Sequence, residues 1–217
     1  MMLDIFFPNR CLDCNRIIDG KLLVCNLCFE QIHFSHADFL TNNYIKEKCS
    51  LLFPVENCFA LMQFEKESLS RKIIHELKYK SREKIGKTLA EWTIERLNFE
   101  NNKPDLLVSV PLHSKKLKER GYNQLHLFTE TLSKFYNIPF SHDLIKRNHY
   151  SKAQALKDKE HRTQSENPFS LTENISGKHI LLLDDVFTTG NTLSSIAWEI
   201  LNSGENKVSI LVMAMDE

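Results

Sequence analysis

The sequence predicts an α/β fold: a parallel sheet flanked by helices, with a small cysteine-rich knuckle at the amino end. Three observations carry this. Apolar runs of strand length, at residues 58–64, 105–110, 178–183 and 208–213, alternate with stretches whose apolar residues recur at helical spacing. The runs are apolar throughout rather than at every second position, the pattern of parallel strands covered on both faces. Four of the six cysteines fall in two pairs within the first 28 residues.

Cys11-x-x-Cys14 and Cys25-x-x-Cys28 stand ten residues apart, on either side of the turn-forming pair Asp19-Gly20. Each pair brings two sulfurs to one ion and the turn brings the pairs together, so Cys11, Cys14, Cys25 and Cys28 are expected to form a tetrahedral thiolate site. Zinc is the default metal, and an iron–sulfur cluster takes the same ligands. Four ligands leave no coordination position open, so the site is expected to be structural. Cys49 and Cys58 read as small apolar packing. Residues 27–34 suit a short helix, and residues 35–57 show no clear period. We therefore divide the chain into a zinc-binding knuckle with its connecting segment, 1–57, and a main domain, 58–217.

In the main domain, residues 58–64 form a strand. Leu69, Ile73, Ile74 and Leu77 mark a helix over 68–79, and Leu89, Trp92 and Leu97 another over 85–97. Residues 105–110 form a buried strand ending at Pro111. A helix over 122–136 carries Leu125, Phe128, Leu132 and Phe135 on one face. Residues 149–168 are polar and read as a loop or mobile flap. The strand 178–183, the helix 191–202 and a closing strand 208–213 complete the order.

A chain of 217 residues can bury one substantial core with a minor appendage. Hydrophobic residues at 42% and charged residues at 26% suit a folded globular protein and argue against disorder or a fibrous architecture. The 28 basic and 28 acidic residues cancel, which removes the bulk attraction to phosphate backbones that strongly basic nucleic-acid binders use. No run approaches the ~20 apolar residues of a membrane span, and Asp4 stands where a signal peptide would carry positive charge. A cytoplasmic location without membrane insertion is expected.

The most informative residues are 181–192, Leu-Leu-Leu-Asp-Asp-Val-Phe-Thr-Thr-Gly-Asn-Thr. An apolar strand runs into Asp184 and Asp185, then a hydroxyl-rich turn, then an amphipathic helix, and ligands of open α/β sheets bind at such strand ends. The turn Thr188, Thr189, Gly190, Asn191 and Thr192 offers backbone N–H groups at a helix start, where the helix dipole also favours a phosphate. Gly190 lets the backbone close on the anion. Asp184 and Asp185, a few ångströms away, suit acceptor work on the ribose 2′- and 3′-hydroxyls. A P-loop is disfavoured because no Gly-Lys-Ser/Thr follows.

This strand, acid pair and Thr-Thr-Gly-x-Thr turn resemble the type I phosphoribosyltransferases. The resemblance implies that the acids contact ribose and that the turn binds the 5′-phosphate of phosphoribosyl pyrophosphate. Phe187 departs from the usual aliphatic residue at a position expected to pack. A pyrophosphate needs a second anion site. Pro111 and His113 at the end of the strand 105–110, followed by Lys115, Lys116, Lys118 and Arg120, supply cations for a leaving pyrophosphate and its Mg²⁺. Arg120-Gly121-Tyr122-Asn123-Gln124 places a guanidinium beside the backbone donors of a helix start.

Taken in order, Val-Pro-Leu-His at 110–113, Arg-Gly-Tyr-Asn-Gln at 120–124, the segment 154–169 with Arg162 and Asn167, the acid turn and the cysteine-rich start resemble the ComF family of competence-associated phosphoribosyltransferase-like proteins over nearly the whole chain. By this resemblance residues 149–168 are the flap that closes over the ligand, with Arg162 its candidate contact. The segment 73–80 resembles the family's Ile-x-x-Leu-Lys-Tyr, which directs Lys78 toward the site.

Two functions follow. One is an enzyme that exchanges the pyrophosphate of phosphoribosyl pyrophosphate, held with Mg²⁺, for a nucleobase or other nucleophile, and that is linked to DNA uptake and natural transformation. The other is a non-catalytic nucleotide-sensing or single-stranded-DNA-associated module of a competence complex, with protein partners at the knuckle. The basic run 66–87, eight basic against three acidic residues, could touch a single strand, although Tyr79 is its only aromatic residue.

Overall fold

The computed structural model describes residues 8–20, 22–79, 82–148 and 167–216. In chain order the elements are α1 (Asn26–Phe29), α2 (Tyr44–Ser50), β1 (Cys58–Gln63), α3 (Leu69–Leu77), α4 (Lys84–Ile94), β2 (Leu106–Ser109), α5 (Ser114–Arg120), α6 (His126–Tyr136), β3 (Phe140–Ser141), β4 (Ile145–Arg147), β5 (Phe169–Leu171), β6 (His179–Phe187), α7 (Asn191–Asn202) and β7 (Lys207–Met215). Arg162 and nearly all of the expected flap lie outside the described residues.

Five strands form one parallel sheet in the order β1-β7-β6-β2-β3. β6 and β7 are its spine, paired from His179 opposite Lys207 to Phe187 opposite Met215. Residues 180–183 and 210–214 are fully buried. Helices flank the sheet, and burial on both faces is why these strands carry unbroken apolar runs. Residues 33–35 cover the outer edge of β1: the Ser35 amide donates to the Leu61 carbonyl at 2.8 Å, and the Gln63 amide to the His33 carbonyl at 2.9 Å. An otherwise open β edge is thereby closed.

The predicted order of strands and helices is present, with several differences. β6 does not stop before the acids but continues through them to Phe187, because β7 runs alongside with Ala214 opposite Val186 and Met215 opposite Phe187. Residues 35–57 contain α2, whose start is fixed by the Asn43 side chain accepting from the Lys46 amide at 3.0 Å. Only Ile45 and Cys49 of α2 are buried, too few for a readable period. The helix expected over 122–136 begins at His126, and the basic residues before it form α5. Gly121, in the left-handed region at φ 82°, ends α5, and the Asn123 side chain accepts from the Leu125 amide at 3.0 Å in place of a helical turn. Phe135, assigned to the apolar face, is exposed. The last strand, β7, lies inside the sheet, and β3, β4 and β5 are too short to register as apolar runs.

The cysteine segment is not separately cored. Cys11, Val24, Cys25 and Cys28 belong to the same buried cluster as the sheet. Phe29, Phe34 and Trp92 pack as a triangle with ring centroids 5.2 to 5.8 Å apart, and the Arg96 guanidinium lies 3.8 Å from the centre of the Phe34 ring. Lys72 of α3 donates to both the carboxylate and the carbonyl of Asp13, each at 3.2 Å. Cys49 and Cys58 are fully buried neighbours, packing as expected. No helix among the described residues is long and apolar enough to cross a membrane.

Candidate functional site

β6 delivers the chain to the turn 188–190, and α7 starts immediately after it. Gly190 precedes α7 at φ 73° and has no side chain with which to cap it, so among the described residues the first-turn amides have no side-chain acceptor. Thr188, Thr189 and Asn191 are exposed and Thr192 is partly so. Together with Asp184 and Val186 they line a hollow of about 50 Å³. A Cβ at Gly190 would stand 2.5 Å from Leu52 Cδ1 and 3.0 Å from Phe187 Cζ, so only glycine fits both the backbone angle and the space. Phe187 is buried beneath the turn and packs, as its position predicts.

The two acids sit on consecutive strand residues and therefore turn in different directions. Asp184 lines the hollow; its Oδ1 accepts from the Asp185 amide at 2.8 Å. Burial, and next the charge of Asp185, raise its pKa from 3.8 to about 8, against smaller lowering by the Asp185 amide and by Lys78. A cation or a hydroxyl donor at this carboxyl would return it to the ionised form. Asp185 is already engaged, with Oδ2 3.0 Å from Lys78 Nζ and 2.7 Å from Gln124 Nε2.

The second predicted cluster lies beside the first because β2 pairs with β6, Ser109 opposite Leu183. Pro111 leaves the strand end half-buried, and His113 opens α5 by accepting at Nδ1 from the Lys115 amide at 3.1 Å. Lys115, Lys116 and Lys118 are exposed along α5. Arg120 donates to Gln124 Oε1 at 2.8 Å and so reaches Asp185 through one amide. The Asn123 side chain donates to the Val110 carbonyl at 3.1 Å, and the single Tyr122 hydroxyl proton is shared between the carbonyls of Leu77 and of Tyr79, the latter at 2.7 Å. The motif at 120–124 is thus a clasp between the ends of β2, β6 and α3. Gln124 as the direct partner of Asp185 was not foreseen; its only signal was its place in that motif. Gly86 of α4 permits the approach, since a Cβ there would stand 3.3 Å from the Gln124 carbonyl.

The four cysteines Cys11, Cys14, Cys25 and Cys28 converge, with all sulfurs within 4.8 Å of one another and Cys14 Sγ 3.7 Å from Cys25 Sγ. A tetrahedral ion with metal–sulfur bonds of about 2.3 Å requires sulfurs roughly 3.8 Å apart, so the donor set fits zinc. Burial raises the Cys11 pKa, but the amides of Cys25, Cys14 and Asp13 outweigh it and bring the thiol down to about 6. Burial and the neighbouring sulfurs push Cys28 up, a cost that a cation at the centre would offset.

The phosphoribosyl transferase domain family matches residues 76–216. DNA utilization protein YhgH of Escherichia coli O157:H7 is 31% identical over 144 residues, which cover 64% of this chain and 63% of that protein. The chain therefore matches less than two thirds of that relative's length. Competence protein F of Haemophilus influenzae is 26% identical over 225 residues, covering 96% of this chain and 98% of that protein. Competence protein ComFC of Bacillus subtilis is 39% identical over 101 residues, covering 46% and 40% respectively.

The raised pKa of Asp184 makes the site costly to the ligand-free fold. Between the ordinary value of 3.8 and about 8 the folded state binds the proton more tightly than the unfolded chain, so stability falls as pH rises through that window. Asp184→Asn should therefore be more stable than the native protein at pH 8, with the advantage vanishing toward pH 4. Thermal melts across that range test this, and an advantage independent of pH would contradict it.

Proposed function

The chain belongs to the phosphoribosyl transferase domain family, and from that premise we propose that it binds phosphoribosyl pyrophosphate, or a nucleotide with the same 5′-phosphoribosyl end, at the carboxyl ends of β6 and β2. The observation that carries this reading is the uncapped start of α7 beside Asp184. The amides and hydroxyls of Thr188, Thr189, Gly190, Asn191 and Thr192 take the 5′-phosphate, and Asp184 accepts from the ribose hydroxyls. Pro111, His113, Lys116 and Arg120 border the place of the pyrophosphate. Asp184 would offer a carboxylate oxygen, the hard donor type that Mg²⁺ takes, and Mg²⁺ bound with the pyrophosphate would neutralise part of its charge. Displacement of pyrophosphate by a nucleophile is the reaction such binding serves, with the fixed cations stabilising charge on the leaving group.

The names of the relatives, two competence proteins and a DNA utilization protein, support a role in the handling of DNA taken up by the cell. A single-stranded DNA contact is a second reading. It is favoured by a hollow of about 670 Å³ between the knuckle and α3, bordered by Lys66, Arg71, Lys72 and His75 as well as by Asp13 and Glu67. Cys11, Cys14, Cys25 and Cys28 would hold zinc as a closed structural site with no coordination position left for a reactant.

Titration calorimetry with phosphoribosyl pyrophosphate and Mg²⁺ should give saturable binding, weakened about 10- to 100-fold in Asp184→Asn through loss of a charged hydrogen-bond acceptor. No binding by the native protein would end the reading, and a pyrophosphate-release assay over a panel of bases separates turnover from binding alone. Elemental analysis should find one zinc per chain, lost together with thermal stability in Cys14→Ser; a metal-free native protein would remove the assignment. A labelled single strand should bind with an affinity that falls steeply with salt and drops further in Lys66→Ala with Arg71→Ala, whereas unchanged binding in that variant would place DNA elsewhere.

A further inference from the structure

We infer that Cys14 and Cys25 form a peroxide-sensitive pair, whose oxidation to a disulfide expels the metal and loosens the knuckle from α3. The inference rests on the reading of the four cysteines as a zinc site.

The four sulfurs are not equivalent. Cys11, Cys25 and Cys28 are buried, at 2%, 8% and 4% exposure, whereas Cys14 is exposed. Cys11 Sγ accepts from the Cys25 amide at 3.3 Å and also from the amides of Cys14 and Asp13. Such donors draw charge from a thiolate and blunt it as a nucleophile. Cys28 Sγ lies 3.5 Å from Asp13 Oδ2, away from solvent. Cys14 is therefore the sulfur that a small oxidant reaches, and Cys25 Sγ, 3.7 Å away, is placed to answer it. The two belong to different Cys-x-x-Cys pairs, so a bond between them takes one ligand from each half of the site.

Hydrogen peroxide is the oxidant. The Cys14 Sγ electron pair bonds to one peroxide oxygen, the O–O bond breaks, and the hydroxide that leaves takes up a proton to become water. The Cys25 thiolate then attacks the Cys14 sulfur: the S–S bond forms, the S–O bond breaks, and the second hydroxide is protonated to water. Two thiolates have lost two electrons and one peroxide has become two waters. The two thiolates that remain are too few to hold a divalent ion in a closed tetrahedral site.

The change reaches α3 through Asp13. This residue precedes Cys14, and its carboxylate and carbonyl both accept from Lys72 Nζ at 3.2 Å. When Cys14 and Cys25 close from 3.7 Å to bonding distance and the segment loses its central ion, Asp13 moves with them. Phe29 and Phe34 stay packed on Trp92, so the loosening is confined to the segment carrying Cys11, Cys14 and Cys25 and to the part of α3 around Lys72.

The test uses the full-length, zinc-loaded protein and hydrogen peroxide. A colorimetric zinc chelator should read release of about one equivalent, and disulfide mapping by mass spectrometry should join Cys14 to Cys25. Amide hydrogen exchange should quicken about 10-fold or more around Cys14 and Lys72. A dithiol reductant with added zinc should reverse all three. Cys14→His keeps four ligands but removes the exposed thiolate, so it should bind zinc and release it at least about 10-fold more slowly under peroxide; if that variant takes up no zinc, the disulfide map of the native protein decides. Zinc retained under peroxide that oxidises a free-cysteine peptide would overturn the inference, as would a disulfide between any other pair, or release with unchanged exchange around Lys72. A native protein purified without zinc overturns the underlying metal assignment instead, an outcome distinct from these.

Discussion

The pairing of β6 with β7 on one side and β2 on the other fixes where every candidate site residue can be. A strand hydrogen-bonded on both edges cannot shift register without moving its whole apolar set, and Ile180 to Leu183 are fully buried. The acids at 184 and 185 are therefore held at a constant distance from the core, and the turn beyond Phe187 emerges at one place. β2, in register with β6 at Ser109 opposite Leu183, brings Pro111 and His113 to the same edge. The two candidate anion-binding segments, far apart in the sequence, become neighbours through this ladder.

Around that frame the structure handles two carboxylates differently. Asp184, among the described residues, has one backbone hydrogen-bond partner, in a small hollow, at a cost to the ligand-free fold. The other is surrounded by Lys78, Gln124 and, one bond further, Arg120. Strand alternation makes the difference: neighbouring residues point away from each other, and only one direction meets the clasp. The knuckle bears on the same region through α3. Lys72 of that helix holds Asp13 of the knuckle, and Lys78, at its end, holds Asp185. The cysteine segment and the candidate site thus both bear on one nine-residue helix, the first near its middle and the second just past its last residue.

Much of this was legible before any coordinates. The continuous apolar runs at 58–64, 178–183 and 208–213 named the buried parallel strands, because nothing else in a chain of this composition requires them. The spacing of Cys11, Cys14, Cys25 and Cys28 predicted their convergence, because each x-x interval closes on one ion. What escaped were features carried by few residues. α2 buries only Ile45 and Cys49, and β3 has two residues, below the length at which a period can be read. The break between α5 and α6 hangs on one left-handed glycine and one asparagine side chain, signals that equally suit a helix start.

By itself the sequence determined the class of fold, the acid-and-hydroxyl turn at a strand end and the fourfold cysteine set, because each is written in residues close together along the chain. The tertiary structure alone decided that β7 lies inside the sheet, that Asp185 is shared by Lys78 and Gln124, and that the knuckle packs into the main core. Those outcomes depend on contacts between segments tens of residues apart. Such contacts are selected by the packing of the whole core, and no local pattern encodes them.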